Sequence, residues 1–126
     1  MPTYEISVTR AFTASHSIRL GDGSPEPVHD HVWRATAAFR ADRLDATMGV
    51  VLDFVQVERA LGRLAGELQG SNLNSLPPMA DGRCTAERVA EYLAGRLRDL
   101  LGGRDAYRLS VTEAPGCSAA YYPQGP

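Results

Sequence analysis

Polar and apolar positions alternate along the first part of the chain. Tyr4, Ile6, Val8, Phe12, Ala14 and His16 share one parity, and Glu5, Ser7, Thr9 and Thr13 share the other. Successive side chains of a strand point to opposite faces, so residues 3–16 read as a half-buried strand. His16 stands at its end on the apolar side. Residues 17–28 contain Gly21-Asp22-Gly23-Ser24-Pro25-Glu26-Pro27, whose turn chemistry predicts a loop. A second alternating run follows, with His29, His31, Trp33, Ala35, Ala37 and Phe39 on one face and Asp30, Arg34 and Arg40 on the other. The two runs read as a long antiparallel hairpin whose connecting end carries His16, His29 and His31.

Beyond residues 41–52, a connection through Asp45 and Gly49, the period changes. Asp53 with Gln56 three residues on has the pattern of a capping box. Phe54, Val57, Leu61, Leu64 and Leu68 then follow at helical spacing, with Gly70 as the stop. Residues 71–83 read as a loop containing Pro77-Pro78. Thr85 can cap a second helix that turns Ala86, Val89, Ala90, Leu93, Leu97, Leu100 and Leu101 inward and ends at Gly102-Gly103. Tyr107, Leu109, Val111 and Glu113 share the parity of a short strand, and residues 118–122 form the last one. The order ββααββ predicts an α+β domain, residues 1–126, with two helices on one face of an antiparallel sheet. Such a sheet has open edges, and a homo-oligomer that joins them is one way to cover them.

Composition narrows the partners. A net charge of −2 over 126 residues gives no basic footprint for nucleic acid or an anionic membrane. No apolar run nears the ~20 residues that span a bilayer. All 13 basic residues are arginine, which excludes lysine chemistry. The two cysteines, Cys84 and Cys117, lack metal-ligand spacing and read as reduced thiols, consistent with a cytoplasmic location. Cys84 precedes a helix start, where a thiolate is favoured, but reads as an ordinary rather than a reactive thiol. Cys117 reads as buried filler.

Chemistry concentrates at the hairpin end, because the three histidines there are all that the chain has. Residues at i and i+2 of a strand share a face. Adding a third imidazole from the neighbouring strand gives three nitrogen ligands and leaves a fourth position open, the pattern of a catalytic rather than a structural zinc site. On their own residue types and places, Glu113 reads as a solvated strand end and Glu26 as ordinary loop surface. A cupin metal site would want a glutamate shortly after the second histidine of His-x-His, and residues 32–39 contain none.

Several short motifs, in order, resemble the 6-pyruvoyl-tetrahydropterin synthase family, which includes bacterial 6-carboxy-tetrahydropterin synthases. Phe12-Thr13-Ala14-Ser15-His16 resembles its F-x-A-S-H, His29-Asp30-His31 its H-G-H, and Gly49-Val50-Val51-Leu52-Asp53-Phe54 its G-M-V-x-D-F. Leu73-Asn74 resembles its L-N, Thr85-Ala86-Glu87 its T-x-E, and Val111-Thr112-Glu113 its V-x-E. The resemblance implies the T-fold, with trimers closed into a barrel and stacked as hexamers. It implies Zn2+ on His16, His29 and His31, acting as a Lewis acid on the substrate's side-chain oxygens. It implies a pterin-like substrate bound by Glu113 and Thr85, the carboxylate accepting two parallel hydrogen bonds from the ring.

The chain departs from that pattern at the proton-transfer groups. The family's usual base is a cysteine in the loop before H-G-H, and this loop has none. Glu26 stands three residues before His29, similar to a subgroup in which glutamate replaces the cysteine and the side chain is cleaved to 6-hydroxymethyl-dihydropterin. The family's Asp-His relay and following lysine correspond here to Gln69, Gly70 and Ser71, and Asp30 replaces the glycine of H-G-H. The expectation is therefore a zinc-dependent lyase acting on 7,8-dihydroneopterin triphosphate or a relative, with Glu26 as base and Arg19 or Arg83 on phosphate. The alternatives are a divergent member with an unphosphorylated substrate and a non-catalytic zinc-containing binding protein.

Overall fold

The computed structural model describes residues 2–126. Strands β1 (Tyr4–His16) and β2 (His29–Ala41) pair antiparallel along their whole length, with Tyr4 opposite Ala41 and His16 opposite His29. Helix α1 (Phe54–Leu68) and helix α2 (Ala86–Leu100) follow, then strands β3 (Arg108–Ala114) and β4 (Cys117–Tyr121). The sheet order is β1-β2-β3-β4, antiparallel throughout. The expected ββααββ order is the one observed.

The apolar parity of each strand builds one layer of the core and the helices build the other. Phe12, Trp33, Phe39, Leu109 and Val111 are buried beneath Val57, Leu61, Leu64, Leu93 and Leu97. Ala35 and Ala37 on the central strand β2 keep that face low beneath the helices, and both are buried. The opposite face of the sheet is polar. Across it the Thr9 and Thr36 hydroxyls lie 2.7 Å apart, and Arg40 Nε donates to Glu5 at 2.6 Å. Among the described residues no helix is long and apolar enough to cross a membrane.

Both helix starts form as the capping residues require. Asp53 accepts from the Val55 N–H and Thr85 from the Arg88 N–H, each satisfying a donor that the helix itself leaves free. The capping box is not completed, since the Asp53 side chain accepts from the Val55 N–H rather than from Gln56, and Gln56 lines a groove between the helices. Phe54 is 52% exposed rather than inward. It is the first residue of α1 and lines an open groove with Tyr4, Ile6 and Leu44 at the far end of β1. Cys117 is exposed, not buried, because it follows the Gly116 turn at the start of the short edge strand. Arg10 shares the apolar parity of β1 but sends its guanidinium to Glu58 on α1 at 2.7 Å.

The loop after α1 does more than connect. Gly70, at φ +74, lets the chain turn back along the free edge of β1. There the Thr13 N–H donates to Gln69 Oε1 at 2.9 Å, Gly70 N–H to the Thr13 carbonyl at 2.7 Å, and Ser15 N–H to the Ser71 carbonyl at 2.9 Å. Two short 3₁₀ turns, Leu73–Ser75 and Pro77–Met79, carry the chain onward, the first capped by Asn72 and the second opened by proline. This strap satisfies the edge groups of β1 at the histidine end only.

Candidate metal centre

Register assembles the site. His16 faces His29 across the β1–β2 ladder, and His31 lies two residues further along the same face, opposite Ala14. Ring centroids are 4.7 Å apart for His16 and His29, 5.2 Å for His16 and His31, and 4.7 Å for His29 and His31. One nitrogen from each ring lies within 4.8 Å of the others.

The main chain decides which nitrogen faces inward. His16 Nδ1 lies 2.8 Å from the Cys84 carbonyl, and His29 Nδ1 lies 2.9 Å from the Pro27 carbonyl. A carbonyl only accepts, so in both rings the hydrogen is assigned to Nδ1 and the lone pair to Nε2. His16 is 2% exposed, and its Nε2 is buried with no hydrogen-bond partner. A buried acceptor left unpaired is costly, and a cation that collects several imidazole lone pairs removes that cost. Rings that donate their other N–H to a backbone carbonyl are the usual form of zinc-bound histidine. The residues present therefore fit a zinc ion.

Two carboxylates flank the rings. Glu113 Oε1 is 2.9 Å from His16 Nε2 and 3.7 Å from His31 Nε2. With the His16 hydrogen committed to Cys84, the short approach sets two acceptors against each other and is not a neutral hydrogen bond. It too calls for a shared cation or an added proton. Glu113 sits where the β3–β4 register shifts between Thr112 and Ala114, an irregularity of the kind that re-aims a side chain beside a site. On the other side, Glu26 Oε1 is 3.8 Å from His29 Nε2 and accepts the Ile18 N–H at 3.0 Å. Trp33 closes the site from below. Its fully buried indole meets His16 and His31 edge-on at 4.9 and 5.7 Å and donates to the Ala14 carbonyl at 3.2 Å.

An open cleft leads to the centre. The β2–β3 ladder stops at the Arg34–Thr112 pair. Beyond it a cavity of about 580 Å³ is lined by Asp30, His31, Val32, Arg34, Thr112, Glu113, Ala114 and Pro115.

The structure thus gathers His16, His29, His31, Glu113 and Glu26 around one point. Thr85 stands at the N-terminus of α2, where its hydroxyl accepts the Arg88 N–H at 3.3 Å, one residue past the carbonyl that holds His16. Arg83 is tied to Asp81 at 3.0 Å, and Arg19 pairs through its backbone with Pro25 and Gly82. Burial pushes the Cys84 thiol up to about 11, so its place before a helix start does not activate it. Sequence reasoning missed the Cys84 and Pro27 carbonyls and the Ile18 N–H, which are main-chain groups with no side-chain signature. It also placed Trp33 on the apolar face without seeing it as the wall of the site.

Comparison with known proteins agrees with this architecture. Residues 5–124 match the model of the 6-pyruvoyl tetrahydropterin synthase family. The structure of Caenorhabditis elegans 6-pyruvoyl tetrahydropterin synthase is similar at a TM-score of 0.83 and 19% identity, covering 97% of this chain and 96% of that one. A Plasmodium vivax 6-pyruvoyltetrahydropterin synthase, solved with a catalytic glutamate replaced by alanine, has a TM-score of 0.71 at 15% identity, covering 96% and 98%. An uncharacterized protein from Wolinella succinogenes has a TM-score of 0.72 at 15% identity, covering 98% and 99%. At these identities the structural matches speak for the fold alone. No curated protein matches the sequence.

Proposed function

The chain belongs to the 6-pyruvoyl tetrahydropterin synthase family, and from that premise we propose that it is a zinc-dependent lyase acting on 7,8-dihydroneopterin triphosphate or a related pterin. The observation that carries this reading is the convergence of three imidazoles, with the buried Nε2 of His16 among them, beside two carboxylates. His16, His29 and His31 would hold the metal, and bound zinc supplies Lewis acidity toward the substrate's side-chain oxygens.

The remaining roles fall to the chain's own groups. Glu113, at the inner end of the cleft, accepts two hydrogen bonds from the amino and ring N–H groups of the pterin. Thr85 supports the substrate from the start of α2. Glu26 takes the proton. The Ile18 N–H fixes its Oε1 beside His29 and leaves Oε2 to meet the substrate. The glutamate described as catalytic in the Plasmodium vivax relative supports a carboxylate in this role. Arg19, next to Glu26 through its pairing with Pro25, is the cation proposed for a phosphate tail. We read residues 1–126 as one domain that works as a cytoplasmic homo-oligomer, trimer or hexamer, built on the open sheet edges.

One observation favours a second reading. Gln69 is bonded to the Thr13 N–H and Gly70 has no side chain, so the two positions that would correspond to the family's relay move no proton. A base acting without that relay suits a divergent substrate, unphosphorylated or from another branch of metabolism. The test is metal content followed by turnover. Purified protein should carry about one zinc per chain, and 7,8-dihydroneopterin and its triphosphate are then offered separately, with products read by mass. Turnover of the triphosphate alone supports the first reading and turnover of the free dihydroneopterin the second. Zinc without turnover of either leaves a binding protein. A protein that takes up no zinc overturns the proposal.

A further inference from the structure

We propose that Asn74 is a positioning residue that fixes His16 and Glu26 relative to each other by gripping the one residue through which both are held. The inference rests on the roles proposed above for those two side chains. The β1–β2 ladder ends at the His16–His29 pair, so Ser17 has left the sheet with its backbone groups half-buried. Asn74 supplies both missing partners. Its Oδ1 accepts the Ser17 N–H at 2.8 Å, and its Nδ2 donates to the Ser17 carbonyl at 3.0 Å. A carboxamide offers an acceptor and a donor side by side, as a neighbouring strand would.

The grip acts on both sides of Ser17. Before it stands His16, whose ring is fixed at Nδ1 by Cys84. After it stands Ile18, whose N–H holds Glu26 Oε1 and whose carbonyl accepts the Glu26 N–H, both at 3.0 Å. The path from metal ligand to base therefore runs through one clamped residue. The backbone at Asn74 is placed by the fully buried Leu73 beside it, while Asn72 Oδ1 caps the 3₁₀ turn through the Asn74 N–H at 2.9 Å without touching the carboxamide. Of the motifs singled out in the sequence, Leu73-Asn74 had no chemical role, and the clamp gives it one.

The test compares Asn74→Ala with Asn72→Ala. The second variant loosens the same turn but leaves the Ser17 grip in place. Zinc affinity is measured by chelator competition, ligand geometry by the visible spectrum of the cobalt-loaded protein, and the Ile18 amide by hydrogen exchange in the metal-free protein. Loss of a group that orients a ligand typically weakens metal binding ~10–100-fold. Asn74→Ala should show a loss in that range, an altered cobalt spectrum and Ile18 exchange at least ~10-fold faster. Asn72→Ala should show none of these at a comparable loss of melting temperature. Asn74→Asp, which sets a carboxylate oxygen against the Ser17 carbonyl in place of the donor, should lose at least as much as Asn74→Ala. The clamp is overturned if Asn74→Ala keeps wild-type affinity and Ile18 protection, or if Asn72→Ala reproduces the changes at equal destabilisation. Should wild type bind no zinc, the proposed function fails, and the exchange measurement alone decides the clamp.

Discussion

Alkylation of Cys84 measures how firmly the site is closed. The side chain is fully buried, and burial pushes its thiol from 9.0 up to about 11. Only the thiolate attacks iodoacetamide. A raised value favours the neutral thiol at every pH below it. A thiol raised by two pKa units holds roughly 100-fold less thiolate near neutrality, and the rate should rise about tenfold per pH unit on approach to pH 11. The reagent must also reach the sulfur, which requires the segment before α2 to open and break the bond between the Cys84 carbonyl and His16. A ligand of the closed state at about 100 times its dissociation constant adds about 2.7 kcal/mol, so saturating zinc should slow labelling by roughly a further 100-fold. The assay is intact mass against time, with peptide mapping and a denaturant-unfolded reference. The exposed Cys117 reacts first and serves as the internal clock. Native Cys84 reacting within about tenfold of its unfolded rate would refute the burial argument. A rate untouched by saturating zinc would uncouple the carbonyl from the metal centre.

Glu26→Gln should lower kcat by ~10²–10⁴ while zinc content stays at wild type, and turnover at the original rate would place the base elsewhere. Glu113→Gln replaces two charge-assisted hydrogen bonds worth ~1.5–3 kcal/mol each, so pterin binding read by fluorescence should weaken roughly 100-fold or more. Unchanged affinity would remove the ring-anchor role. Leu64→Ala, at a position 1% exposed between helix and sheet, should cost ~2–5 kcal/mol. In a domain of this length that lowers the melting temperature by roughly 8–20 °C, and a shift of a degree or two would show that the helix layer is not the core.

The hairpin was legible because a strand has a period of two. Once His16 and His29 end their runs on the apolar parity, antiparallel pairing leaves them opposite each other, and His31 follows on the same face. Glu113 was placed on the inner parity of β3, but its approach to His16 depends on a register shift that no pattern of residue types announces. Phe54 misled because helical spacing assigns a face but says nothing of where the partner sheet ends. Cys117 misled because a five-residue edge strand is too short for parity to separate inside from outside. The strap along β1 escaped notice because its polar residues look like any loop. Their partners, the edge groups of Thr13 and Ser15 and the Ser17 N–H just past the strand, become visible only when the strand has an edge and an end.

Two of the three imidazoles are aimed by peptide carbonyls, at positions 27 and 84. A carbonyl is the same whatever residue bears it. Mutational drift at those two codons can therefore exchange one side chain for another of tolerable volume without disturbing how the rings point. The aim of the two rings is thus sheltered from substitution at the residues that hold them.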